Sequence, residues 1–385
     1  LAVKSICAVE GVSAAGIKEG RYGLALIRAG GAAAGMFTTN RVRAAPIQMM
    51  MERIKTGRLE GIIVNSGNAN AYTGTRGMDD AFLMAEICGE CLGIDPGTVG
   101  VASTGIIGRY LNLDLIADQA RRITPRMGQS EEIEEQVCAA IMTTDLVQKH
   151  ALVEGEGFCI GGIAKGSGMI APNMGTMLAF LYTDAVVDSR DLQEALRLAT
   201  KRSFNRIVVD GDTSTNDAVF CTATGDGERV APSTLSRALE EVCVSLAQKI
   251  ARDGEGATKL IEMRVCGAEE EEDAARIART IVSSPLVKTA VYGEDPNWGR
   301  IIAAAGRSGV DFDPGKISLM VGEGSNRVVL VQNGEIFFKA GADIGAMKEK
   351  TVVFTLDLNT GTEEATAWGC DLTEDYVRIN GKYTT

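Results

Sequence analysis

The chain has one histidine, His150, so any nucleophile that needs an imidazole base would depend on that residue alone. In DLVQKHALVEGEG it reads as a solvated loop residue between two structured segments, and one histidine cannot build a multi-histidine metal site. The window KGSGMIAPNMGTMLAF, from Lys165 to Phe180, offers different chemistry: a glycine-rich loop ends in Gly175-Thr176, and the threonine hydroxyl opens an apolar run. By spacing alone, the plainer reading of Thr176 is a β-branched residue that starts a buried strand. The alternative is a nucleophile that carries its own base. Other motifs are weaker. Asp210-Gly211-Asp212-Thr213-Ser214-Thr215-Asn216-Asp217 begins like a calcium loop, but position six is Thr215 and position twelve is Cys221, where glycine and glutamate are needed. Gly166-x-Gly168-x-x-Ala171 follows a strand-like run, yet the next segment is strand-like too and offers no helix N-terminus for a pyrophosphate. Cys88 and Cys91 share one face of an amphipathic stretch. With no second pair or neighbouring histidine they read as core packing rather than a metal site.

The window around Thr176 resembles the cleavage-site motif of the ornithine acetyltransferase (glutamate N-acetyltransferase) family, whose chemistry is that of N-terminal nucleophiles. FTTNRVRAAPI from Phe37, NSGNANAYTG from Asn65, STGIIG from Ser103, MTTD from Met142, SFNRIVVDGDTSTND from Ser203, DGEGATKL from Asp253, EDPNWGRIIAAAG from Glu294 and the tail WGCDLTEDYVRINGKYTT resemble it as well, in the family's order. The likeness covers nearly the whole chain. Two positions depart from the family's pattern: Gly175 stands where it has alanine, and LVQK follows MTTD where it has another hydroxyl residue and a proline.

The resemblance implies a layered α+β sandwich and a precursor that cuts itself between Gly175 and Thr176, leaving fragments 1–175 and 176–385 associated as a dimer of pairs, α2β2. It also implies glutamate N-acetyltransfer in the cyclic route to arginine: Thr176 would take acetyl from N-acetylornithine and pass it to glutamate by ping-pong, with no cofactor and no metal. Some members of the family also use acetyl-CoA as donor, which no motif here decides. The freed α-amine, with an ordinary pKa of about 7.7–8.0, would serve as base, so no histidine is needed. Thr104 and Gly105 would supply the oxyanion donors. The substrate contacts implied are Thr143, Lys165, Thr176, Glu255, Asn380 and Thr385. Glu255 suits a substrate ammonium, and Lys165 with the polar tail suits a carboxylate. Two other readings stay open: an amidase or aminopeptidase of related fold, in which water resolves the acyl-enzyme, and a binding protein on the same scaffold that never processes itself.

The elements that must position these residues are partly legible. With 385 residues, 45% of them hydrophobic, the chain can bury the cores of two or three layered domains. Its 45 glycines exceed the usual share of about 7%. Helical periodicity runs through DDAFLMAEICGECL, LDLIADQARRI, DSRDLQEALRLATKRSF, STLSRALEEVCVSLAQKIARDG and EEEEDAARIARTIVSS, with Asp188 or Ser189 capping the third and Ser233 the fourth. GIIVNSG, VGVAST, FCIGGIA, TMLAFLYTD, RIVVDG, AVFCTAT and KLIEMRVCG read as buried strands, and SLMVG, RVVLVQ, EIFFKA and TVVFTLDL make the carboxyl end strand-rich. Helices and strands mix without a strict βαβ rhythm, which favours layered α+β. A net charge of -12 argues against nucleic acid or an anionic membrane as partner and suits a cationic small substrate. The nine cysteines are scattered, as expected for reduced thiols. No apolar run is long enough to span a bilayer, so a cytoplasmic enzyme is expected.

Overall fold

A computed structural model describes residues 4–171, 177–338 and 344–382. Gly175, Thr176 and Thr385 therefore lie outside the described residues. The chain forms two compact units, one from Leu1–Phe204 and Asp212–Leu246, the other from Asn205–Gly211 and Ala247–Thr384.

The first unit carries strands β1 (Ser13–Glu19), β2 (Tyr22–Phe37), β3 (Arg58–Asn68), β4 (Val99–Ile106), β5 (Lys149–Gly155), β6 (Phe158–Lys165) and β7 (Leu178–Thr183); the short β8 (Ile207–Val208) belongs to the second unit, and β9 (Ala218–Ala223) returns to the first. Its sheet runs β4-β3-β2-β9-β7-β6-β5, with β1 on the free edge of β2. Strand alternation gives β2 two buried faces. Leu24 and Leu26 enter a core with Met84, Cys88 and Ile116, whereas Ala25 and Ile27 enter another with Val137, Ile141 and Phe180. Helices α1 (Ala45–Arg53), α2 (Gly74–Leu92), α3 (Leu113–Ile123), α4 (Glu131–Ile141), α5 (Ser189–Arg202) and α6 (Pro232–Arg252) supply the covering layers. The cap of α5 is Asp188, whose carboxylate accepts from the amides of Arg190 and Asp191 at 3.0 and 2.9 Å. The expected cap Ser233 instead lies inside α6, which begins one residue earlier at Pro232; proline suits a first helical turn because the amide it lacks has no partner there.

In β2 the register shifts between Arg28 and Gly31. A side chain on Gly31 would meet the Ala223 carbonyl oxygen at 1.8 Å, so only glycine lets β9 approach at this bend. The second unit holds β10 (Leu260–Ala268), α7 (Glu271–Val282), α8 (Pro285–Tyr292), α9 (Gly299–Gly306), β11 (Ser318–Val321), β12 (Val328–Gln332), β13 (Glu335–Ile336), β14 (Thr351–Asp357), β15 (Glu363–Cys370) and α10 (Glu374–Lys382). Its mixed sheet, β13-β12-β11-β14-β10-β15-β8, packs Ile261, Met263 and Val265 against Ile277 and Ile281 of α7. Both units are helices layered on mixed sheets, which is the expected α+β architecture. Cys88 is buried on α2, and all nine cysteines are free thiols.

Candidate active site

Met177, just ahead of β7, is the described residue next to Thr176 along the chain. Leu178 pairs with Lys165 of β6 on one side and with Ala218 of β9 on the other. Beside it, the Met177 amide donates to Asp217 Oδ1 at 2.9 Å, and the Met177 carbonyl accepts from the Ala218 amide at 3.3 Å. The loop before β9 is stapled to the ends of β3 and β4 by Asn216, whose amide nitrogen donates to the carbonyls of Ala69 at 2.6 Å and Ser103 at 2.9 Å. That brings Thr104, the next residue of β4, to the same place: Lys165 Nζ donates to Thr104 Oγ1 at 3.1 Å, with both residues buried. Five strand steps separate β4 from β6 in the sheet order, roughly 24 Å in a flat sheet at about 4.8 Å per step. A lysine cannot bridge that gap, so the sheet doubles back, and the β2 bend is where its register breaks.

This arrangement has a chemical consequence. Thr104 Oγ1 accepts from an ammonium, so its own proton is free to donate elsewhere, toward a negative charge that develops nearby. Gly105 adopts φ +131°, and a Cβ there would lie 2.4 Å from the Gly67 carbonyl carbon and 2.5 Å from the Asn68 nitrogen. Glycine is thus required by both conformation and space. Thr104 and Gly105 lie within β4, the last strand residues before Ile106 rather than a separate turn.

Thr143 sits in a loop held by Asp145. One Asp145 oxygen accepts from Lys149 Nζ at 2.7 Å and from the Gly166 amide at 2.6 Å, and the other accepts from the Thr143 amide at 3.1 Å. One carboxylate therefore ties the MTTD and KGSG loops together, with Thr144 and Ser167 hydroxyls joined at 2.7 Å. Burial alone would raise the Asp145 carboxyl, but the Lys165 and Lys149 ammoniums and the Gly166 amide overcome it and hold the pKa at about 2. Lys18 donates to Ser66 Oγ at 2.8 Å and to the Met142 carbonyl at 2.6 Å. Burial and then the Lys165 charge press the Lys18 pKa down to about 8. Asp217 moves the other way: burial pushes its carboxyl well above the usual range, against the pull of the Met177 amide and Lys165.

Glu255 and Asn380 belong to the second unit. Asn380 Nδ2 donates to Glu255 Oε2 at 2.8 Å. Their approach is set by Gly256, φ +72°, where a Cβ would come 2.6 Å from the Tyr376 amide nitrogen at the start of α10. Asp371 fixes the same loop by accepting from the Thr258 amide at 2.8 Å and the Lys259 amide at 3.0 Å.

The structure thus joins Thr104 to Lys165, Thr143 to the Lys165 loop, and Glu255 to Asn380; Gly175, Thr176 and Thr385 lie outside the described residues. One expectation is corrected. His150 lies on β5 rather than in a solvated loop, and its Nδ1 pairs with buried Glu134 at 2.8 Å. Glu134 also accepts from the backbone amides of Ser5 at 2.8 Å and Cys7 at 2.9 Å, so the only histidine helps anchor the amino-terminal segment. Sequence reasoning passed over Lys18, Asp145, Asn216 and Asp217. The last two sit inside the segment rejected as a calcium loop, and their apolar flank AVF, which makes them a strand's entry, was the available signal.

A family model described as the ArgJ family matches residues 9–385. The chain belongs to the ArgJ family. It is 52% identical over 390 residues to a glutamate N-acetyltransferase of Methanosarcina mazei, covering 99% of this chain and 98% of that protein. It is 49% identical over 378 residues to the arginine biosynthesis bifunctional protein ArgJ of Archaeoglobus fulgidus, covering 98% and 99%. A crystal structure of the arginine biosynthesis bifunctional protein argJ from Bacillus halodurans is 45% identical, with a TM-score of 0.49 over 52% of this chain and 96% of that one. The family is one of acyltransferases in arginine biosynthesis, and this chain is an enzyme of that class. None of the described helices is long and apolar enough to cross a membrane.

Proposed function

We propose that this enzyme transfers acetyl from N2-acetylornithine to glutamate through an acetyl-Thr176 ester, after cutting itself between Gly175 and Thr176. In the precursor, the Thr176 hydroxyl attacks the Gly175 carbonyl carbon. The peptide C–N bond breaks as its nitrogen takes a proton, and water hydrolyses the Gly175 ester, leaving a carboxylate on Gly175 and a free amine on Thr176. In the transfer, Thr176 Oγ1 bonds to the acetyl carbon, and the hydroxyl proton passes to the α-amine and on to the departing ornithine nitrogen as the amide bond breaks. The neutral amine of glutamate then attacks the ester, its surplus proton returns to Oγ1 through the α-amine, and N-acetylglutamate leaves. Thr104, its oxygen occupied by Lys165, donates to each tetrahedral oxyanion beside Gly105, while Lys165, Thr143 and the tail hold carboxylates and Glu255 holds the ornithine ammonium.

The observation that supports this reading is that Lys165, bonded to Thr104, pairs with Leu178 while Asp217 holds the Met177 amide, and Met177 and Leu178 are the two residues after Thr176. The fragments 1–175 and 176–385 stay together because β7 and β9, from one, are laddered to β6 and β2, from the other; an α2β2 assembly follows by resemblance. The test is denaturing mass analysis with a transfer assay. Wild type is expected as two fragments with activity, and Thr176→Ala as one chain with none; an active Thr176→Ala protein overturns the proposal. Acetate release that ignores glutamate would instead favour an amidase. Replacing acetylornithine by acetyl-CoA in the same assay reads out the second donor.

A further inference from the structure

One row of residues crosses four strands on a single face of the first sheet. Lys18 of β1 lies opposite Gly23 of β2, Gly23 opposite Ser66 of β3, and Ser66 opposite Thr104 of β4. Residues directly opposite in a ladder share a face, so Lys18 and Thr104 stand on the same surface. Gly23 leaves the row open. A Cβ there would run into the Ala140 carbonyl oxygen and lie 2.7 Å from Ser66 Oγ, and across this gap the Lys18 stem reaches Ser66, two strands away. Its ammonium donates to Ser66 Oγ at 2.8 Å and to the Met142 carbonyl at 2.6 Å, and Ser66 Oγ donates in turn to the Ala140 carbonyl at 2.6 Å. Both carbonyls belong to the end of α4, where a helix leaves its last carbonyls without intrahelical donors and its dipole favours a cation. The last turn of α4 carries no basic residue. Lys18 supplies that cation from another element, and the residue after Met142 is Thr143.

We propose that Lys18 is a positioning residue for acyl transfer: it fixes the end of α4, and with it Thr143, against the strands that carry Thr104 and Gly105. The inference rests on the oxyanion reading of Thr104 and Gly105 and adds the group that holds them in register with the MTTD loop. Ser66 is the link. It precedes Gly67, the backbone against which Gly105 packs, so a shift at the end of α4 that passes through Ser66 moves the floor under Gly105. Lys18 thus acts through Ser66 and Met142. The charged groups that face it are Lys165 of β6 and Asp145 of the loop after α4. Burial and the Lys165 charge hold the Lys18 pKa at about 8, against the pull of Asp145, so the ammonium loses its charge within the range where transfer can be assayed. Its bonds to Ser66 and Met142 then pass from charge-assisted to neutral.

Lys18→Met keeps the stem and removes the donors. The expected result, on fully cleaved protein, is a kcat lower by about 10²-fold, because a misplacement of about 1 Å costs that much. The KM for acetylornithine should stay within about threefold of wild type, since Lys165 and Glu255 are left in place. Lys18→Arg restores a cation that keeps its charge up to about pH 12 and should recover at least about a tenth of wild-type kcat. The ratio of wild-type to Lys18→Arg kcat should fall about fivefold between pH 6.5 and pH 9.5 as charge-assisted bonds weaken to neutral ones, with its midpoint near the Lys18 pKa of about 8; a brace that only stabilised the fold would leave the ratio flat. Lys18→Gln repeats the kcat measurement if Lys18→Met melts below the assay temperature. Slowed self-cleavage at an unchanged melting temperature supports the same assignment, because both reactions use the same oxyanion donors. Wild-type kcat in Lys18→Met, a flat ratio, or a Lys18→Arg enzyme no faster than Lys18→Met overturns the proposal. Thr104→Ala tests the reading beneath it: transfer at the wild-type rate there removes Thr104 from the oxyanion site, whatever Lys18 does.

Discussion

Removing the charge of Asp145 tests the claim that one carboxylate holds both the MTTD and the KGSG loops. The Asp145 and Lys149 side chains are fully shielded from solvent, with Nζ and Oδ1 2.7 Å apart. Folding lowers the Asp145 pKa from an ordinary 3.8 to about 2, which at about 1.4 kcal/mol per unit corresponds to about 2–3 kcal/mol of stability at neutral pH. Asparagine would also take from the buried Lys149 ammonium its carboxylate at 2.7 Å, leaving neutral acceptors such as the Val147 carbonyl at 3.1 Å in its place, and breaking a buried pair costs about 3–5 kcal/mol. The two estimates overlap near 3 kcal/mol, or a fall in melting temperature of roughly 6–12 °C for a unit of this size. Because the folded-state pKa is depressed, the contribution is present above pH 4 and disappears as the pH falls toward 2. Urea titrations followed by far-UV circular dichroism at pH 7, 5, 4 and 3 should therefore give wild-type and Asp145→Asn curves that converge on acidification. Asp145→Asn with Lys149→Met should be at least about 1 kcal/mol more stable than Asp145→Asn alone, because a buried ammonium that has lost its carboxylate is gone. A difference below about 1 kcal/mol at pH 7, or one that persists undiminished at pH 3 and below, would refute the reasoning.

Two further variants probe the site directly. Gly105→Ala drives a methyl to 2.4 Å from the Gly67 backbone at a left-handed φ, so β3 and β4 must separate; a loss of about 2–3 kcal/mol and a roughly 10²-fold fall in kcat are expected from melting and steady-state rates. Glu255→Gln keeps an acceptor for Asn380 but removes the negative charge. The KM for acetylornithine should rise about 10-fold or more, as for loss of a charge-assisted hydrogen bond of about 1.5–3 kcal/mol, with cleavage, melting temperature and kcat nearly unchanged; an unaltered KM would remove Glu255 from the substrate site.

Several elements were legible because their signal is local. LDLIADQARRI occupies α3 from end to end, and GIIVNSG and VGVAST fall within β3 and β4, since apolar periodicity over such stretches matches the face each element buries. The longest strand was not. YGLALIRAGGAAAGMF, all of β2, is rich in glycine and alanine, whose small side chains carry little strand propensity; its role comes from being paired on both edges and bent at Gly31 so that neighbours can approach. RIVVDG shrank to the two-residue β8, because its ladder exists only where β15 offers an edge.

Residue types and their order along the chain were enough to indicate the family, because motif residues can be read one at a time along the sequence. Which charges face one another was decided by the fold alone. Lys165 against Thr104, Asp145 across two loops and Asp217 behind the residue after Thr176 depend on a sheet that doubles back over sequence separations of 21 to 61 residues. No local pattern encodes such distances. The energies that set those pKa values arise from burial and proximity, which exist only once the sheet has closed.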